Sequence, residues 1–214
     1  MNIGVLGAGR MTEALVPHWI AAGHQVTIGG RTASKAQALA GRLGARTGTL
    51  REAAEFGDVV LLAVLYAGVE WTLRLAGAAD GTLRDRVLID CNNAVEVERF
   101  TLVSESGSSL AEQIAATTGA RVVKALNQVH FSVWQQRASY DQRPLVVPIA
   151  GDEENAKGVV AALIRDAGGE PLDAGGLEQT HNLEAMAAVI IRLLFRGADP
   201  LSAFQLTVGA PQDR

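Results

Sequence analysis

The fold class is indicated first by residues 2–23, which read NIGVLGAGRMTEALVPHWIAAG. A short apolar run ends at Gly7, and apolar residues then recur at helical spacing until Gly23, a common residue after a helix C-terminus. The segment therefore predicts a buried strand, a tight glycine turn and an amphipathic helix. Many dinucleotide-binding α/β domains begin with this unit, although the same turn also occurs as a plain strand–helix connection without a ligand.

The turn carries a pair of glycines directly before the helix. Gly7 permits the sharp turn, and Gly9 lets the backbone approach a pyrophosphate at the positive N-terminus of the helix. Thr12 stands where a third glycine or an alanine is usual, which is a departure from the common pattern. We expect the pyrophosphate to be bound by Gly7, Ala8, Gly9, Arg10 and Met11.

The next strand and turn read VTIGGRTASK, residues 26–35. Domains that bind NAD place an acidic residue about 20 positions after the glycines to hold the ribose. This chain has no Asp or Glu between Glu13 and Glu52. The 2′-phosphate of NADP would instead be bound by the basic and hydroxyl side chains of Arg31, Thr32, Ser34 and Lys35. Thr32 or Ser34 could also cap the following helix, and a solvated basic helix start is the alternative.

Strands alternate with helices along the whole chain. Residues 58–64, DVVLLAV, form a continuous aliphatic run, as expected for a strand covered on both faces. We expect an α/β fold: a Rossmann-type, doubly wound, mostly parallel sheet with a small C-terminal strand–helix extension. An NADP-binding domain over residues 1–144 would be followed by a small part, residues 145–214, that completes the cleft within one compact unit.

The residues that directly follow the later strands lie at the edge where open α/β sheets bind ligands. The nicotinamide half of the cofactor site is therefore predicted to include Val64, Leu65 and Asn92. Tyr66, Asn127 and His130 are candidates for positioning roles in catalysis. The plainer alternatives are a packing residue at Tyr66, turn residues at Asn92 and Asn127, and an uninvolved loop residue at His130.

Composition excludes several other classes of protein. The single cysteine, Cys91, excludes an internal disulfide and a multi-cysteine metal site, and the four histidines are scattered, so no metal site is expected. The net charge of −4 makes a nucleic-acid partner improbable. No apolar stretch approaches the roughly 20 residues of a membrane span, and no signal peptide is recognisable. We expect a cytoplasmic protein that acts on a small-molecule substrate.

Three further segments give structural predictions. Helical spacing predicts one helix over residues 66–79, and residues 127–143 are expected to form a long polar-aromatic loop. The aromatic residues of this loop, His130, Phe131, Trp134 and Tyr140, could cover a ring-shaped ligand, and packing beneath the C-terminal helices is the alternative. Residues 177–195 predict a last helix that is apolar on more than one face, which one small domain would leave partly uncovered. A homodimer is therefore expected, and a helix buried within one chain is the alternative.

Taken together, the motifs GAGRMTEAL, IGGRT, VVLLAV, KALN, PIAGD and PLDAGGLEQTHNLEAMA resemble the NADP oxidoreductases that use the deazaflavin coenzyme F420. The resemblance implies a Rossmann domain with a small C-terminal part, commonly as a homodimer, in which NADPH and the deazaflavin face each other and exchange hydride. By position it assigns Gly7, Gly9 and Arg10 to the pyrophosphate. It assigns Arg31, Thr32, Ser34 and Lys35 to the 2′-phosphate, and it places Asn92 and Asn127 near the nicotinamide and the acceptor. Leu65 stands where the family usually has proline.

These observations favour an NADPH-dependent oxidoreductase that transfers hydride between NADP(H) and a small planar acceptor, with coenzyme F420 as the best candidate. Such chemistry needs positioning more than acid–base groups, and no acid–base pair is evident. Relatives with the same C-terminal motif reduce other acceptors, such as ferric-reductase cytoplasmic domains. The first helix also resembles pyrroline-5-carboxylate reductase, so an imine- or pyrroline-carboxylate-type reductase is one alternative. A non-catalytic NADP sensor is the other.

Overall fold

Six parallel strands form the central sheet of the computed structural model, which describes residues 1–96, 98–103, 107–136, 139–140, 143–201 and 206–207. The strands are β1 (Asn2–Leu6), β2 (Gln25–Gly29), β3 (Arg46–Gly48), β4 (Val59–Leu62), β5 (Val87–Asp90), β6 (Val95–Glu96), β7 (Thr101–Leu102), β8 (Arg121–Lys124), β9 (Ser139–Tyr140), β10 (Arg143–Pro144), β11 (Val146–Ile149) and β12 (Glu170–Asp173). The order in the central sheet is β3-β2-β1-β4-β5-β8, and every neighbouring pair is parallel. The order reverses between β1 and β4, where such folds bind dinucleotides.

Helices cover both faces of this sheet. They are α1 (Arg10–Ala21), α2 (Ala33–Leu43), α3 (Leu50–Phe56), α4 (Val69–Leu75), α5 (Leu110–Thr118), α6 (Phe131–Gln135), α7 (Glu154–Asp166) and α8 (Thr180–Phe195). Side chains of α1, α2, α6 and α7 pack into one apolar core, and side chains of α3, α4 and α5 pack into a second. β1 and β4 contribute to both cores because their successive side chains point to opposite faces. The predicted doubly wound α/β fold is confirmed.

The C-terminal part packs directly against the central sheet. β11 and β12 pair in parallel, and Ala150, which follows β11, forms an antiparallel bridge with Lys124 at the end of β8. The indole nitrogen of Trp19 in α1 donates a 2.9 Å hydrogen bond to the carbonyl oxygen of Leu163 in α7. Residues before and after position 144 thus share one core, and the functional division at that position stays a prediction.

Two sequence-based predictions are wrong in detail. The helix expected over residues 66–79 is broken: α4 ends at Leu75, and Gly77 adopts a left-handed conformation with a φ of +84°. The expected loop over residues 127–143 contains α6 and the strands β9 and β10. His130 is the N-cap residue of α6, and its ring accepts a hydrogen bond from the Ser132 amide. Residues 137–138 and 141–142 of that segment lie outside the described ones.

The last helix was predicted over residues 177–195 and is present as α8 (Thr180–Phe195). Part of its surface is exposed to solvent. Leu183, Ala187 and Ile190 are buried against the domain. On the outer face Met186 is 39%, Val189 55% and Leu193 36% exposed, and their spacing places them in one stripe. The alternative of a helix buried within one chain is therefore wrong.

Candidate dinucleotide site

Gly7 brings the end of β1 into close contact with its two neighbouring strands. Its φ of +132° lies outside the range that other residues adopt readily, and a Cβ atom there would collide with the carbonyl oxygen of Ala63. The Gly7 amide donates a 2.8 Å hydrogen bond to the carbonyl oxygen of Gly29 at the end of β2. This glycine therefore fixes the turn that leads into α1.

The N-terminus of α1 is open. Gly9 is its N-cap residue, has no side chain to accept from the first amides, and faces space with no atom within 4 Å of a Cβ placed on it. The N-termini of α3 and α5 are closed by capping boxes, formed by Thr49 with Glu52 and by Ser109 with Glu112. Open helix amides beside an uncrowded glycine fit a pyrophosphate, as predicted for the backbone around Arg10.

Thr12 accounts for the departure from the usual third glycine. Its side chain is buried, and its hydroxyl donates a 2.8 Å hydrogen bond to the carbonyl oxygen of Gly7. Glycine would permit close packing of α1 on the sheet because it has no side chain. Threonine packs closely as well, because its buried hydroxyl forms a hydrogen bond. The Thr12 hydroxyl thus joins the first turn of α1 to the phosphate turn.

The residues predicted for the 2′-phosphate lie together in solvent after β2. Arg31, Thr32, Ser34 and Lys35 are all exposed. Thr32 occupies the N-cap position of α2, but its hydroxyl makes no capping hydrogen bond, so the expected cap is not formed. The first turn of α2 contains no acidic residue. A Cβ on Gly30 would lie 3.3 Å from the Cβ of Ala8, so this cluster adjoins the phosphate turn. The arrangement fits a second anionic group of the same cofactor.

At the end of β4 the backbone is held by Asn92. The Asn92 amide group donates to the carbonyl oxygen of Leu62 at 3.0 Å, and its oxygen accepts from the Val64 amide at 3.1 Å. Asp90 in turn accepts from the backbone and side chain of Asn92 at 3.0 and 2.7 Å. Asn92 is buried, so the structure gives it a role in fixing Val64; direct contact with the cofactor stays a prediction.

Leu65, directly after Val64, projects into solvent with 86% of its surface exposed. Its backbone has a φ of −73° and a ψ of 150°, values that proline adopts without strain. The backbone of this chain at position 65 would therefore accommodate the proline that the resemblance leads one to expect. Tyr66 follows in a short 3-10 turn and packs, partly buried, against the second apolar core.

Asn127 lies three residues after the end of β8 and is paired with Asn93. The Asn127 amide donates to the Asn93 side-chain oxygen at 2.9 Å, and the Asn93 amide donates to the Asn127 carbonyl oxygen at 2.9 Å. Asn127 also donates to the carbonyl oxygen of Leu183 in α8 at 3.3 Å. The side chain is nearly buried and joins three elements of the fold.

His130 lies close to the phosphate turn. Its ring is 4.0 Å from that of Phe131, and the guanidinium group of Arg10 lies 5.1 Å from the Phe131 ring centre. Partial burial, and then the charge of Arg10, lowers the pKa of His130. Trp134 in the same segment is fully buried, so it cannot cover a ligand as expected. Tyr140, the other aromatic residue of that expectation, has a side chain outside the described part.

A buried ionic network escaped the sequence-based prediction. The ammonium group of Lys124 lies 2.6 Å from Asp90 and 2.7 Å from Glu184, and all three side chains are buried. Burial alone would lower the pKa of Lys124, but the two carboxylates outweigh it and leave that pKa raised. A charged residue that ends an apolar strand was the available signal, because charged side chains are seldom buried unless paired.

Cys91 is buried beside this network, and burial raises the pKa of its thiol to about 12. Over the described ranges, no three His, Cys, Asp or Glu side chains are placed to bind a metal ion together. In the same part of the chain, no helix combines the length and the apolar character needed to cross a bilayer. The cytoplasmic location stays a prediction.

Known proteins resemble this chain over most of its length. Residues 2–94 match the family model described as NADP oxidoreductase coenzyme F420-dependent. The F420-dependent NADP reductase of Methanothermobacter thermautotrophicus is 29% identical over 214 residues, which covers 92% of this chain and 90% of the relative. A protein of Arthrobacter sp. FB24, assigned as an F420-dependent NADP reductase, has a solved structure that superimposes with a TM-score of 0.80 at 26% identity, covering 91% of this chain and 93% of that one.

A third relative is the metalloreductase STEAP3 of Rattus norvegicus, which is 30% identical over 185 residues. The match covers 86% of this chain but 36% of the metalloreductase, so the chain spans about a third of that protein. These findings confirm the predicted resemblance to coenzyme F420-dependent NADP oxidoreductases. They also confirm the predicted enzyme class, NADP-dependent oxidoreductase, and the predicted cofactor, NADP(H).

Proposed function

We propose that this chain transfers hydride between NADP(H) and a small planar acceptor, because residues 2–94 match the family model described as NADP oxidoreductase coenzyme F420-dependent. Coenzyme F420 is the best candidate for the acceptor. One observation carries the proposal: the open N-termini of α1 and α2 lie side by side at the carboxyl edge of the sheet, next to an exposed segment without acidic residues.

The two anionic parts of the cofactor would be held by different groups. Backbone amides at the start of α1, with Arg10, would bind the pyrophosphate. Arg31 can donate two parallel hydrogen bonds to a 2′-phosphate, and Lys35 adds a second positive charge. A carboxylate at this position would repel that phosphate, so its absence favours NADP(H) over NAD(H).

The nicotinamide half would lie against the segment after β4. Bound NADPH supplies a hydride to the acceptor. Val64 is held by Asn92, which fixes the backbone that would face the ring, and Leu65 offers exposed apolar surface for a flat partner. Holding the reacting carbons about 3–3.5 Å apart provides much of the rate enhancement in such reactions.

We propose positioning roles, without proton transfer, for Tyr66, Asn127 and His130. His130 is engaged with Ser132 and has a lowered pKa, so it is a neutral ring near pH 7. Asn127 is held by Asn93 and Leu183 and would fix the loop that borders the acceptor. A neutral and fixed set of side chains fits the reduction of an electron-poor ring, which needs no strong general acid from the protein.

Turnover with defined acceptors tests the proposal. Purified protein is mixed with NADPH and, in separate reactions, with oxidised coenzyme F420, flavins or simple imines, and the absorbance of NADPH is followed. Oxidation of NADPH by the deazaflavin, and much slower oxidation with NADH in its place, is the expected result. Turnover of imines alone would assign an imine-reductase role. Tight NADPH binding without turnover of any of these compounds would assign a sensor.

A further inference from the structure

The buried network of Asp90, Lys124 and Glu184 contains two carboxylates and one ammonium group. Lys124 contacts Asp90 Oδ2 at 2.6 Å and Glu184 Oε1 at 2.7 Å, and also donates to the carbonyl oxygen of Asn92 at 2.8 Å. Both carboxylates also contact N–H donors: Asp90 Oδ1 accepts from Asn92, and Glu184 Oε2 accepts from the Leu110 amide at 3.3 Å. Acceptor-only contacts of this kind are typical of ionised carboxylates, so the network carries one negative charge in excess.

An excess charge on these buried side chains lowers the stability of the fold, so its presence points to a function other than packing. All three side chains are buried in the protein, where an unbalanced charge loses the stabilisation that water provides. The amide at the start of α5 offsets only part of it, because a helix N-terminus carries roughly half a unit of positive charge. Packing alone would be served as well by apolar residues of similar volume, which often replace buried ion pairs without loss of stability.

The network lies directly behind the segment that would face the nicotinamide. Asp90 and Lys124 are the last residues of β5 and β8, at the carboxyl edge of the sheet where ligands bind. Asp90 holds Asn92, and Asn92 accepts from the Val64 amide after β4. A continuous path of hydrogen bonds therefore joins the excess charge to the backbone that borders the proposed hydride donor.

We infer that the excess negative charge of this network favours the positively charged, oxidised nicotinamide over the neutral, reduced ring, and thereby helps hydride leave the cofactor. Hydride transfer breaks a ring C–H bond, moves its two electrons and the hydrogen nucleus to a new C–H bond on the acceptor, and leaves one positive charge on the nicotinamide. The planar acceptor completes its reduction with a proton from water. Asp90, Lys124 and Glu184 are positioning residues that act through charge without touching the substrate. The inference rests on the proposed function.

The test compares the affinities of the two forms of the cofactor. The dissociation constants of NADP⁺ and NADPH are measured by calorimetry for the native protein and for Glu184→Gln, which keeps the side-chain shape and removes one negative charge. The phosphates are common to both forms, so the ratio of the two constants isolates the charge on the ring. We expect Glu184→Gln to weaken NADP⁺ relative to NADPH roughly tenfold, because the variant loses the attraction between one negative charge and the charged ring.

Matched variants separate charge from structure. Asp90→Asn should change the ratio in the same direction and serves as the second variant if Glu184→Gln does not fold, whereas Lys124→Met should change it in the opposite direction. Glu154→Gln removes a carboxylate paired with Lys157 on the protein surface and should leave the ratio unchanged. Equal weakening of both forms, or an unchanged ratio in Glu184→Gln and Asp90→Asn, would overturn the inference. Failure of the native protein to bind either form would instead overturn the proposed function on which it rests.

Discussion

The hydroxyl of Thr12 donates a 2.8 Å hydrogen bond to the carbonyl oxygen of Gly7, so the first turn of α1 is fastened to the glycine that precedes it. Both residues are buried. A glycine at position 12 would allow close packing by having no side chain, whereas threonine reaches the same packing by supplying a partner for a buried carbonyl group. The phosphate turn and the helix that provides its amides thus form one rigid unit.

Replacement of Thr12 by valine tests this unit. The side chain keeps its shape but leaves the Gly7 carbonyl oxygen without its donor, so we expect the free energy of unfolding to fall by about 1–3 kcal/mol. The affinity for NADPH should fall as well, because the turn is less well fixed. Denaturant titration and calorimetry measure the two effects. Thr12→Ser keeps the donor and should retain the NADPH affinity; equal affinities for the valine and serine variants would contradict the role of the hydroxyl.

The parts of the site that could be predicted are local in sequence. Gly7, Gly9 and Arg31 lie within one strand–helix–strand unit, where the function of each residue follows from its distance to the strand end. Thr12 is the instructive case, because the sequence shows the departure but cannot show which acceptor its hydroxyl finds. That acceptor depends on how α1 packs against the sheet.

The parts that could not be predicted arise from contacts between distant segments. Asp90, Lys124 and Glu184 belong to β5, β8 and α8, and only the strand order and the packing of α8 bring them together. Trp134 was expected to face a ligand but is buried, since the segment that carries it folds into α6 instead of remaining a loop. In both cases tertiary packing decides which way a side chain points.

Arg31→Ala tests cofactor choice. Arg31 is exposed in a segment without acidic residues, and a hydrogen bond to a charged group contributes about 1.5–3 kcal/mol. We expect NADPH to bind roughly 10- to 100-fold more weakly and NADH to be little affected. Arg42→Ala is the matched control, because Arg42 lies in the last turn of the same helix and pairs with Glu13. Equal affinity of the native protein for NADPH and NADH would contradict the assignment of Arg31 to the 2′-phosphate.

Leu65→Pro tests whether the departure from the family pattern is confined to the side chain. The φ of −73° at this position suits proline, so the variant should fold with a free energy of unfolding within about 1 kcal/mol of the native value. NADPH affinity should also be retained, and any change should appear in the KM for the acceptor. Arg74→Pro, at an exposed position inside α4, is the control and should cost about 3 kcal/mol or more. A comparable loss at position 65 would show that the backbone there does not accommodate proline.

Val189→Glu tests the proposed homodimer. Met186, Val189 and Leu193 form an exposed apolar stripe on α8, and such a stripe is favourable when a second copy covers it. The native protein should have the mass of a dimer in light scattering at micromolar concentration, and Val189→Glu should shift it to the monomer. Leu75→Glu places the same charge at another exposed apolar residue, on α4, and should leave the mass unchanged. A monomeric native protein would refute the proposal.

His130→Asn tests the charge state proposed for the histidine. Burial and Arg10 lower the pKa of His130 in the folded protein, so below the ordinary value of about 6.5 the unfolded chain binds more protons there than the folded one. The histidine therefore contributes its full stability above that value and loses stability as the pH falls through it towards the folded pKa. Asparagine does not titrate and is also a good N-cap residue for α6. Denaturant titrations at several pH values should show the native protein losing stability relative to His130→Asn as the pH falls below about 6.5. A difference in stability that stays constant with pH would contradict the lowered pKa of His130. A turnover rate that falls as the pH rises through neutrality only when His130 is present would indicate a protonated histidine that acts as an acid.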